Sequence, residues 1–79
     1  MVVSVEDFMT KKVVTIESSK SVLEAARMLA ERGVGSLVVV EQGKPVGIVT
    51  DRDVLTRAVI KGLDLEKVSV SEIMSKPLI

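Results

Sequence analysis

Apolar residues along the chain follow two rhythms. After Ser21, the residues Val22, Ala25, Ala26 and Leu29 recur at helical spacing. Glu24 stands three positions past Ser21 as in a capping box, and Gly33 sits where such a helix would end. The spacing predicts a helix over residues 22–32. A second stripe, Val54, Leu55, Ala58 and Val59, predicts a helix that begins at Thr50 and is closed by Lys61 and Gly62. Between the two, residues 36–40 form a continuous apolar strand. Gln42, Gly43 and Lys44 make a hairpin turn, and residues 46–49 return as a strand with Pro45 at its edge. A short β-branched run, residues 13–16, precedes the first helix and is joined to it by a loop of Ser18, Ser19 and Lys20. Residues 4–10 read as a helical lead-in with Val5, Phe8 and Met9 on its apolar side, and residues 63–67 as a connector.

The order is therefore strand, helix, strand, strand, helix, an α/β (α+β) unit. A right-handed crossover makes the first two strands parallel, and the hairpin makes the next pair antiparallel. Two helices cover only one face of a three-stranded mixed sheet. The run Leu37, Val38, Val39, Val40 does not alternate with polar residues, so the other face also calls for a partner. A second copy of the unit is the economical candidate.

The chain also repeats itself. Residues 3–14 and 68–79 align at an offset of 65 with five identities: Val3/Val68, Ser4/Ser69, Val5/Val70, Met9/Met74 and Lys11/Lys76. Five further pairs, including Phe8/Ile73 and Thr10/Ser75, keep their chemistry. The reading is one unit over residues 1–67, with residues 1–12 as its lead-in and 13–62 as its core, followed at 68–79 by the opening of a second, truncated repeat.

Composition narrows the chemistry. The 79 residues suit one small domain, for which a private core is marginal and association with a partner is expected. Eleven basic and eleven acidic side chains cancel, which argues against nucleic acid or a membrane surface held by bulk charge. Without His or Cys there is no zinc site of the usual kind, no disulfide and no imidazole- or thiol-based catalysis. The N-terminal residues lack the pattern of a signal peptide and no run approaches a membrane span, so a cytoplasmic location is expected.

Taken together, S-V-E-D-F-M-T-K-K-V-V-T-I, S-V-L-E-A-A-R-M-L, G-V-G-S-L-V-V-V and G-K-P-V-G-I-V-T-D-R-D-V resemble a CBS domain, the cystathionine β-synthase module that usually occurs in tandem as a Bateman module. The most specific stretch is Gly47-Ile48-Val49-Thr50-Asp51-Arg52-Asp53. The resemblance implies units paired through their sheets with helices outward. It also implies no catalytic activity and no tightly bound cofactor. Instead it implies a cleft for an adenosine ligand: AMP, ADP, ATP or S-adenosylmethionine. The expected partners are a second copy, giving a homodimer, and a regulated enzyme or transporter. The chain departs from the tandem pattern in carrying only the start of a second unit. The alternative function is a ligand-free structural self-association module. Intact Thr50 and Asp53 favour the ligand-binding reading.

Thr50 and Asp53 carry two readings. Thr50 can cap the second helix by accepting from the Asp53 amide, while Asp51 and Asp53 suit the positive end of that helix. Equally, a strand-to-helix junction leaves free amides and a hydroxyl for phosphate, and a carboxylate has two oxygens for the cis-diol of a ribose. The resemblance implies the second set of roles, with Thr50 at the phosphate or sugar and Asp53 on the ribose. Asp51 adds like charge near a phosphate, which Arg52 can offset. By resemblance, Thr10 and Val14 would face the adenine. Val34, Gly35 and Ser36 would open the middle strand to the ring. Lys11 or Lys12 would reach phosphate, unless these lysines are simply solvated charges.

Overall fold

A computed structural model describes residues 13–76. Its elements are β1 (Thr15–Glu17), α1 (Val22–Arg32), β2 (Ser36–Glu41), β3 (Lys44–Thr50) and α2 (Asp51–Val54). A π-helical turn, Leu55–Val59, prolongs α2, and a single 3₁₀ turn follows at Val70–Glu72. The lead-in expected at residues 4–10 lies outside the described residues.

Local chemistry accounts for the boundaries. The Ser21 side chain accepts from the Glu24 amide at 3.1 Å, and Gly33 ends α1 in the left-handed conformation with φ 64°. Only this half of the expected capping box forms; the Glu24 carboxylate instead lies 3.6 Å from Lys20. The first amides of α1 are satisfied from the connector and tail, with Val22 donating to the Val68 carbonyl and Leu23 to that of Leu65. In the hairpin, Gln42 and Gly43 both have positive φ, 53° and 76°. That is the turn whose twist matches its flanking strands.

The sheet order is β1-β2-β3, parallel then antiparallel, as the element order predicts. The first strand lies further along the chain than the expected 13–16. The register pairs Thr15 with Val38, which places Val13 opposite Ser36, the first residue of β2. Val14 keeps one bond, accepting from the Val38 amide, and Val13 is exposed. Ile16, Leu37, Val39 and Val49 point to one face and pack with Val22, Ala25 and Leu29 of α1 and with Val54 and Ala58. Val38, Val40 and Ile48 lie on the opposite face and are half-buried. Both helices serve the first face.

Two further departures have physical causes. Leu55 and Val59, expected in the buried stripe of α2, are 55% and 47% exposed. The Thr56 hydroxyl donates to the Arg52 carbonyl at 2.8 Å, a local bond that competes with the regular helical ladder. Beyond it the amides of Ile60 and Leu63 reach the carbonyls of Leu55 and Ala58, five residues back. The wider turn rotates Leu55 and Val59 away from the core, leaving Val54 and Ala58 buried.

The segment read as the opening of a second repeat folds, over its described part, onto the unit itself. Val70 and Ile73 are fully buried in the same core, and Met74 packs against it. Ser69 and Glu72 form a reciprocal capping box. Ser75 then pairs with Ile48 on the free edge of β3, donating at 2.8 Å and accepting at 3.1 Å. Gly47 makes this approach possible, because a Cβ there would stand 2.7 Å from the Met74 Sδ and 2.9 Å from the Ser75 carbonyl oxygen. Gly47→Ala is therefore expected to displace the tail and cost about 1–3 kcal/mol, as over-packing does. Denaturant unfolding reads this directly, and an unchanged midpoint would show that the close approach is not required.

Candidate functional site

The starts of β1 and β2, the end of β3 and the N-terminus of α2 meet at one end of the sheet. This brings together six of the residues singled out in the sequence. Ser36 is the register partner of Thr50, and the Asp51 amide donates to the Gly35 carbonyl at 3.1 Å. Val34 donates its amide to Leu29, which fixes the turn between α1 and β2. Val14 stands beside them through its bond to Val38. Gly35 and Ser36 are exposed, and a side chain at Gly35 would meet no atom within 4 Å. The backbone is thus open here to a flat group. Thr10, Lys11 and Lys12 lie outside the described residues.

At the junction itself, Thr50 and Asp53 form a complete capping box. Thr50 Oγ1 accepts from the Asp53 amide and Asp53 Oδ2 accepts from the Thr50 amide, each at 3.0 Å. Asp51 Oδ1 accepts from the Arg52 amide at 2.7 Å. The amides of Asp51, Arg52 and Asp53 are consequently all engaged. This corrects the expectation that the junction leaves free amides for phosphate. The Gly35 carbonyl, the Asp51 carboxylate and the Thr50 hydroxyl have satisfied them, in that order, from within the chain. Asp51 and Arg52 themselves are exposed.

Capping does not exhaust Asp53. Its carboxylate offers about four acceptor positions. One is used by the Thr50 amide, and Arg57 Nε lies 3.6 Å from the other oxygen, Oδ1. The side chain is 13% exposed, a position that is held yet reachable. The Thr50 hydroxyl accepts one bond and retains its proton to donate. Arg57 was not singled out in the sequence, although its i,i+4 spacing from Asp53 was a visible signal.

On the helical side of the same corner lies a cavity of about 290 Å³. Ala26, Leu29 and Ala30 of α1 and Val54 and Leu55 face it, with Val34 and Asp51 at its sheet end. It shares those last two residues with the predicted site but includes neither Thr50 nor Asp53. Among the described residues no group of three acidic side chains gathers closely enough to hold a metal ion. Likewise, no helix among them is long and apolar enough to cross a membrane.

Comparison with known proteins agrees with this architecture. The model of the CBS domain family matches residues 5–59. The CBS domain-containing protein YhcV of Bacillus subtilis is 41% identical over 76 residues, which cover 96% of this chain and 54% of that protein. The crystal structure of a cystathionine β-synthase domain protein fused to a Zn-ribbon-like domain superposes with a TM-score of 0.78. It is 36% identical, over 84% of this chain and 94% of that one. A hexameric CBS-CP12 protein from bloom-forming cyanobacteria superposes with a TM-score of 0.79 at 32% identity, over 99% of this chain and 46% of that one. The chain spans about half the length of the first curated relatives it matches, 54% and 40%.

Proposed function

The chain belongs to the CBS domain family, whose members generally serve as regulatory or ligand-binding modules, and on that premise we propose that it binds an adenosine compound at the sheet end around Thr50 and Asp53. One observation carries the reading. A single carboxylate is held in place by its own helix cap, remains partly exposed with acceptor positions to spare, and follows by one turn Thr50, the register partner of Ser36 at the open start of β2. Asp53 then receives the ribose hydroxyls, Thr50 donates its hydroxyl to the sugar or phosphate, and Val14, Val34 and the Gly35 backbone accept the ring. Because the α2 amides are occupied and Asp51 adds negative charge, the adenosine part rather than the phosphate supplies the recognition. The ligand set remains AMP, ADP, ATP and S-adenosylmethionine, with adenosine itself as the minimal form.

The sheet face bearing Val38, Val40 and Ile48 supports a further part of the reading, a homodimer that pairs these faces and completes the cleft. The output is regulation of an associated enzyme or transporter rather than catalysis. Thermal shift with adenosine, its mono- and triphosphates, S-adenosylmethionine and inorganic triphosphate tests the ligand reading. At least one adenosine compound is expected to raise the midpoint, at a hundred times its Kd by the equivalent of about 2.7 kcal/mol. Inorganic triphosphate is expected to have no effect. A midpoint unmoved by every adenosine compound would favour the ligand-free self-association module instead.

A further inference from the structure

The exposed edge of β3 is closed by two different groups, and one side chain touches both. Amides two residues apart on a strand point to the same edge. The Ile48 amide donates to the Ser75 carbonyl, while the Thr50 amide donates to Asp53 Oδ2. The tail and the site carboxylate are thus neighbours along one strand edge. Arg57 spans them. Its Nη1 donates to the carbonyls of Ile73 and Met74 at 3.3 and 3.4 Å, and its Nε lies 3.6 Å from Asp53 Oδ1. Those two carbonyls follow the 3₁₀ turn at Val70–Glu72, where the last carbonyls of a helical turn lack internal partners. A guanidinium carries its donors in a rigid planar fork, so holding one edge of it fixes the other.

We propose that Arg57 is a positioning residue that couples the Asp53 carboxylate to the docking of residues 70–75 on β3. The coupling rests on the ligand reading for its use, though not for its existence. With the tail docked, Arg57 is held at two carbonyls and constrains Oδ1, while the Thr50 amide constrains Oδ2. The carboxylate plane is then set for a diol. With the tail released, Arg57 becomes an ordinary exposed side chain and that constraint is lost. Linkage makes the effect reciprocal: a ligand that uses the oriented carboxylate favours the docked tail. Ligand occupancy is thereby converted into the state of a segment that lies outside the pocket.

Amide hydrogen exchange at Ser75 and Ile48 in the full chain, without ligand, tests the coupling. Asp53→Asn removes the charge but keeps an oxygen for the Thr50 amide. Arg57→Gln removes the bridge. Each is expected to speed exchange at both amides by about two- to fivefold, the range of a partly exposed ion pair. The double variant is expected to be no faster than either single one. Exchange at Leu29 in α1 reports global unfolding, and an acceleration there larger than at Ser75 would mean general destabilisation and overturn the proposal. Effects that multiply in the double variant, or an Asp53→Asn protein with unaltered exchange at Ser75, would overturn the proposal. AMP added to the wild type should slow exchange at Ser75, and should fail to do so in Arg57→Gln. AMP that binds without slowing it would also overturn the coupling. Failure of AMP, ATP, S-adenosylmethionine and adenosine alike to bind would overturn the ligand reading and leave the coupling to be decided by the double variant.

Discussion

Ile73→Ala is expected to destabilise the protein by about 2–5 kcal/mol, the range for truncating a large buried aliphatic side chain. The residue is 2% exposed and lies in one core with Leu37, Val22, Val39 and Val49. Its neighbourhood is held from several directions. Val70 and Ser71 donate amides to Lys20 and Ser18, and Arg57 grips the carbonyl of Ile73 itself. The surroundings therefore have little freedom to collapse into the space left behind, which places the cost toward the upper part of the range. For a domain of this size such a loss is a large fraction of the total stability. Urea unfolding followed by circular dichroism measures it. A change below about 0.5 kcal/mol, the scale of ordinary surface substitutions, would mean that residues 70–75 are an appendage rather than part of the core.

Val38→Asp is expected to abolish the proposed homodimer. Val38 pairs with Thr15 on one side and Ile48 on the other, at the middle of the face opposite the helices. In a paired sheet face a carboxylate there has no partner and loses its water. Association should weaken at least a hundredfold, which at 1.4 kcal/mol per decade is about 2.8 kcal/mol. Ile60→Asp is the control, since Ile60 lies at the end of the π turn and is 76% exposed. Sedimentation velocity at micromolar concentration should show a dimeric wild type, a dimeric Ile60→Asp and a monomeric Val38→Asp. A folded wild-type monomer, or a Val38→Asp protein that remains dimeric, would exclude pairing through this face.

The parts of the fold that were legible in the sequence are those fixed by short-range chemistry. Ser21 and Gly33 mark the ends of α1 because capping and positive φ act within a few residues. The hairpin follows from Gln42 and Gly43 in the same way, and Thr50 and Asp53 from their spacing. The parts that were not legible depend on what meets what. The Thr56 hydroxyl bonds one turn back, so a regular apolar stripe gives no sign that Leu55 and Val59 turn outward. The similarity of residues 68–79 to residues 3–14 conveys kinship between segments, not the place where either packs. Gly47 illustrates the gap well. It belongs to the motif that carries the family resemblance, yet its lack of a Cβ serves a contact with Met74 and Ser75 that only the folded chain reveals. The candidate site residues were singled out by type, whereas the occupation of the α2 amides and the bridge made by Arg57 required geometry.

Calorimetric titration of adenosine against 2′-deoxyadenosine decides whether Asp53 recognises the ribose of an adenosine compound. A hydrogen bond to a charged group contributes about 1.5–3 kcal/mol, so loss of one hydroxyl should weaken binding tenfold or more. Asp53→Asn keeps the helix cap but turns one acceptor oxygen into a donor group. It should therefore bind adenosine at least tenfold more weakly than the wild type and scarcely distinguish the two nucleosides. A wild type that binds both with equal affinity, or an Asp53→Asn protein that retains full preference for the ribose form, would rule out ribose recognition by Asp53 and leave Thr50 and Asp53 with capping alone.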